Sequence, residues 1–115
     1  MVGIQISGIL YQGADFTVSE VFQNADATAF DWSGYTFAGT IVTADGTTTV
    51  ASFDPSSFVV DAGTGRLTAT VLGSDLDGVV DGEKYSFDIK AVNGPFTAIP
   101  FYGRKSLTGV GKVTA

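Results

Sequence analysis

Asp81-Gly82-Glu83-Lys84-Tyr85-Ser86-Phe87 is the stretch that decides the fold of this chain. Asp81-Gly82 signals a turn, because Gly takes positive φ freely and Asp bonds its own backbone. Tyr85 then enters a strand two residues before an inward-facing position, Phe87. That spacing is a tyrosine corner, whose hydroxyl bonds back to the backbone a few residues upstream in two-sheet β-sandwiches. Phe87 stands where related sandwiches place Cys, so this one is expected to close without a disulfide.

Outward from the corner, period-2 alternation recurs and helix signals are scarce. The strand after the corner, 84–92, sets Tyr85, Phe87, Ile89 and Ala91 on one face and Ser86, Asp88 and Lys90 on the other. Before it, 66–72 alternates Leu67, Ala69 and Val71 with Arg66, Thr68 and Thr70, and Ser74-Asp75-Leu76-Asp77 reads as one helical turn with Ser74 as N-cap. Further upstream, a first strand is expected over 2–11, with Ile4, Ile6 and Ile9 apolar. A second spans 16–22, with Phe16, Val18 and Phe22 inward. A third spans 35–43, bulged around Gly39. A tight primed turn at Asp45-Gly46 leads to a fourth over 48–53. Asp54-Pro55-Ser56 interrupts, since Pro lacks the ladder donor, and a short fifth covers 57–61. Asn93-Gly94 is another hairpin turn, followed by strands over 98–102 and 107–113. The expected core is Phe37, Ile41, Leu67, Val71, Phe87 and Ile89. The whole chain, 1–115, fits one all-β domain.

Composition narrows the chemistry. There is no Cys and no His among the 115 residues. Thiolate metal sites, disulfides and Ser-His-Asp or Cys-His catalysis are therefore excluded, and the usual neutral-pH general base is missing. The start, Met-Val-Gly-Ile-Gln, has no basic region and no long apolar run, so neither a signal peptide nor a membrane helix is expected. The net charge is −6, with no Lys or Arg before Arg66. An acidic chain repels phosphate, which argues against nucleic-acid binding. The spacing of Asp75, Asp77, Gly78, Asp81 and Glu83 fails the EF-hand pattern, so no metal or other cofactor is expected. Acids placed in turns bond their own backbone, and no catalytic residue is assigned.

Several short blocks follow one another along the chain: Gly13-Ala14-Asp15-Phe16, then Asp31-Trp32-Ser33-Gly34-Tyr35-Thr36, then Gly65-Arg66-Leu67-Thr68, then Gly82-Glu83-Lys84-Tyr85-Ser86-Phe87-Asp88, and a last strand from Gly103 to Val113-Thr114. This ordered set resembles a family of bacteriophage virion domains found alone and at the N-termini of baseplate upper proteins and related tail proteins. The resemblance spans roughly 3–114. It implies a single immunoglobulin-like β-sandwich that acts as a non-enzymatic structural or adaptor module. With no coiled coil or receptor-binding module after it, the chain is expected to be an accessory subunit: a tail, neck or baseplate component, or a capsid decoration protein. It would be made in the host cytoplasm and carried in the virion in several copies against other virion proteins, without nucleic-acid or membrane partners.

Two surfaces follow as expectations. The flat apolar first strand, with Val2, Ile4 and Ile6, is expected to pair with or pack on a neighbouring subunit. Gly103-Arg104-Lys105 is expected to form a basic hairpin tip that meets an acidic neighbour. The alternative is a carbohydrate-binding or cell-surface adhesion module, in which Trp32 and Tyr102 stack on sugar faces.

Overall fold

The computed structural model describes residues 3–111. Nine strands run in chain order: β1 (Ile4–Gln5), β2 (Gly8–Tyr11), β3 (Phe16–Val21), β4 (Thr36–Thr43), β5 (Thr49–Ser52), β6 (Val59–Asp61), β7 (Arg66–Val71), β8 (Lys84–Asn93) and β9 (Phe96–Val110). They form two packed sheets. The larger is six-stranded, ordered β1-β9-β8-β4-β5 with β2 also on β9; the smaller is ordered β3-β7-β6. With β4, β8 and β9 adjacent in one sheet and β3, β7 and β6 in the other, the connections are those of an immunoglobulin-like sandwich.

The period-2 patterns place the core between the sheets. From the small sheet come Val18, Leu67, Ala69 and Val71; from the large sheet come Ile41, Tyr85, Phe87, Ile89, Ala91, Phe101 and Leu107, all buried. On the solvent face of the small sheet, the hydroxyls of Thr17 and Thr70 meet at 2.9 Å and those of Ser19 and Thr68 at 2.7 Å, cross-strand pairs that hold its register. Rings fill one end of the core. Phe22 sits edge-on to Trp32 at 5.3 Å and to Phe101 at 5.4 Å, geometries that aromatic quadrupoles favour.

Several local expectations are corrected. The 2–11 strand is two pieces, both parallel to β9 and broken at Ile6-Ser7; Val2 lies outside the described residues. Leu10 keeps the inward parity of Ile4 and Ile6, so Ile9 falls on the outer face and is 46% exposed. Phe37 is only half-buried, stacked on Phe58. β4 is not bulged at Gly39: it pairs with β8 without a break, and the irregularity lies on β5, where Val50 is the extra residue opposite Ile41 and Val42. Ser74 does not cap its 3-10 turn. The turn spans Gly73–Leu76 with Leu72 at the cap, and the Gly73 amide donates instead to the Asp15 carboxylate at 2.7 Å. At Asp45-Gly46 only the glycine has positive φ, which rules out a type I′ turn, since that needs two such residues. At the β8–β9 hairpin Asn93 pairs with Phe96, leaving Gly94-Pro95 as a two-residue loop. Gly94 at φ 58 opens it, as a type II′ turn requires.

The two expected C-terminal strands are one long β9 with two irregularities. Ile99 and Pro100 together face Lys90 of β8. This one-residue bulge lets Pro100 sit in an interior strand without a donor, and it switches parity so that Pro100 and Phe101 are both buried. The second irregularity is larger. β9 advances four residues, Gly103 to Leu107, while β8 moves two, Phe87 to Tyr85. Against the N-terminal strand it advances five, Tyr102 to Leu107, while that strand moves three, Gln5 to Gly8. Both neighbours therefore see the same two extra residues. An even insertion preserves alternation, so Phe101, Gly103, Leu107 and Gly109 all stay inward. The end of the expected last strand, through Val113-Thr114, lies outside the described residues.

Candidate interaction surface

The corner sets the geometry of one end of the sandwich. Tyr85 is 2% exposed, and the Val80 amide donates to its hydroxyl at 2.8 Å. Around it, the Gly82 amide donates to the Gly109 carbonyl at 2.9 Å, and the Gly111 amide donates to the Asp81 carboxylate at 2.9 Å. Asp81 and Gly82 thus tie the last strand to the corner. Gly109 has to be glycine: a Cβ there would run into the Val80 carbonyl and the Tyr85 ring.

Most carboxylates belong to turns. Asp26, Asp31, Asp45, Asp54 and Asp61 each accept from the amide two residues on, the Asx-turn geometry. The Thr43 hydroxyl, with the amide and hydroxyl of Thr47, pulls the Asp45 carboxyl down to about 2. Asp26 is lowered by the hydroxyl and then the amide of Thr28, and Asp54 by the amide and then the hydroxyl of Ser56. Among the described residues no three acids converge on a possible cation site, and no helix is long and apolar enough to cross a membrane.

The residues expected to make contacts are placed differently. Ile4 and Ile6 are partly buried and pack against the core, so they do not form an outward apolar stripe. Their strand is nevertheless an outer edge of its sheet, bonded only to β9 among the described residues. Arg104 and Lys105 are not a hairpin tip. They form the two-residue bulge within β9, exposed, with Lys105 at φ 53 and its amide donating to the Ser86 hydroxyl at 2.8 Å. The bulge coincides with the β1–β2 break, where the Ser106 hydroxyl donates to the Ile6 carbonyl at 2.6 Å. Trp32 is 3% exposed, ringed by Phe22, Phe30, Tyr35 and Phe37, and donates from Nε1 to the Gly65 carbonyl at 3.0 Å. A buried indole cannot stack on a sugar, and it does not share a surface with Tyr102.

What the fold does bring together lies on the outer face of the large sheet. Gln5, Tyr102, Asp88, Thr40 and Ser52 form one row across five strands through direct pairings. Beside this row is an open hollow of about 540 Å³, walled by Thr40, Ser86, Asp88, Ile99, Tyr102 and Arg104. Tyr102 is 41% and Ile99 44% exposed. Alternation predicted the outward Asp88 and Lys90. The hollow itself was not legible, because it depends on the β9 bulges.

Two charge clusters stand out, one on this face and one at an end of the sandwich, while Glu20, Asp26, Asp31, Asp54, Asp61 and Arg66 lie elsewhere. Lys90, Arg104 and Lys105 are exposed on or beside the face, with Asp88 as its acid. The end formed by the β2–β3 and β4–β5 turns and the 72–83 segment carries Asp15, Asp45, Asp75, Asp77, Asp81 and Glu83, with Lys84 at its border. The chain matches no family model and no curated protein.

Proposed function

We propose that this chain is a non-enzymatic structural subunit of a bacteriophage virion, a tail, neck or baseplate accessory protein or a capsid decoration protein, present in many copies and docked on neighbouring virion proteins through its sheet surface, strand edge and loops. The observation that carries the proposal is the division of polar chemistry. The carboxylates mostly shape turns, while exposed aromatic, aliphatic and basic side chains gather on one sheet face. Such a surface suits protein contact better than catalysis. The resemblance blocks support it further, since Gly13–Phe16, Asp31–Thr36, Gly65–Thr68 and Gly82–Asp88 each lead into a strand, as signals that shape a scaffold do.

Purified subunit should rebind particles stripped of it. Exposed charges steer encounter more than they hold the complex, so moderate salt should slow association more than it speeds release. Arg104→Glu with Lys105→Glu should slow association at low salt. Equal rates for this variant and the wild type would remove the basic bulge from the docking surface.

A further inference from the structure

We infer that the outer face of the large sheet receives the acidic end of a second copy of this chain, a head-to-side contact built on the multi-copy role proposed above. The two patches are complementary in both charge and apolar content. The face offers Tyr102 and Ile99 beside the hollow, flanked by Lys90, Arg104 and Lys105. The acidic end offers Leu72, 41% exposed, and Val80, 55% exposed, set among Asp75, Asp77, Asp81 and Glu83. The Val80 side chain projects from a rigid base, since its amide is held by Tyr85, so little ordering opposes its docking.

A stable interface takes roughly 600–1,000 Å² from each partner, and one copy exposes 6499 Å². The two patches are different surfaces, so the contact is heterologous. A pair keeps one free face and one free end, one on each copy, so association continues into a chain or a ring. Apolar side chains at the centre hold the contact, and the charges at the rim select orientation.

The test uses the whole chain in solution and two neutral double variants. Tyr102→Ser with Arg104→Ser disables the face; Leu72→Ser with Val80→Ser disables the end. All four side chains are exposed, so both proteins should retain the wild-type urea midpoint, which is checked first. By sedimentation equilibrium the wild-type mass should rise above the 11.9 kDa monomer with concentration. Each variant alone should associate about tenfold or more weakly, as loss of a central anchor does. Mixed, the variants should form a one-to-one pair that does not grow, because each keeps the half the other lacks. A wild type that stays monomeric at about 1 mM, near the weakest affinities worth measuring, would overturn the inference. So would variants that associate like the wild type, or a mixture that fails to pair. Binding of the face to another virion protein by a chain that remains monomeric would also overturn it, while leaving the virion role standing.

Discussion

Tyr85→Phe removes one oxygen and leaves the ring in place. The lost group is the acceptor of the Val80 amide, a partly buried bond of 2.8 Å. A typical hydrogen bond contributes about 0.5–1.5 kcal/mol net, and an orphaned buried donor costs about 1–3 kcal/mol. The Tyr85 hydroxyl is itself enclosed, with the residue 2% exposed, so water cannot easily replace it, and the expected loss is about 1–3 kcal/mol. Trp32, the single tryptophan, is buried against Phe22 and Phe30 and reports unfolding by its fluorescence. In urea, with a slope of roughly 1–2 kcal/mol per molar, the midpoint should fall by about 1 M with the slope unchanged. Tyr102→Phe serves as the control. Its ring is 41% exposed on the outer face, and exposed substitutions usually stay within about 0.5 kcal/mol. A Tyr85→Phe midpoint no lower than that of the control would refute the structural role of the corner.

Gly109→Ala should cost about 1–3 kcal/mol, as overpacking does, because the added methyl meets Val80 and the Tyr85 ring; thermal unfolding measures it. Trp32→Ala should cost about 3–5 kcal/mol, detected by circular dichroism, so any binding lost in that variant reports a damaged core, not a removed sugar platform. The Asp45 carboxyl is held at about 2 in the folded chain, below its ordinary value of 3.8. A depressed folded value adds stability above the unfolded value, and that stability is lost as pH falls through the folded one. Urea midpoints should therefore decline between about pH 4 and pH 2, and Asp45→Asn should lower the midpoint at pH 7 and flatten that decline; an identical pH profile in the two proteins would exclude Asp45 as a contributor.

Local chemistry made part of the fold readable in advance. The alternation at Leu67, Ala69 and Val71, and again from Tyr85 to Ala91, was legible because both strands lie inside their sheets with one face buried. The Asp-rich turns were legible because Asx geometry is a property of neighbouring residues. The course of β9 was not. Pro100 and Gly103-Arg104-Lys105 look like breaks, and only pairing with distant strands turns them into bulges within one strand. The hollow on the outer sheet face depends on those bulges, so the signal at Arg104 and Lys105 marked basic residues without locating them. Trp32 misled for a related reason. Its loop looks polar and exposed, yet the carbonyl that accepts its indole N–H belongs to Gly65, 33 residues away.

The proposed role as a virion subunit is tested most directly by the particle itself. If the proposed role holds, virions from a phage-producing culture that makes this chain, purified through successive density gradients, should contain it in many copies, counted by quantitative mass spectrometry against the major capsid protein. Antibody labelling should place it at one repeated position on the tail, neck, baseplate or capsid. Its absence from particles that are complete and infectious would contradict the account.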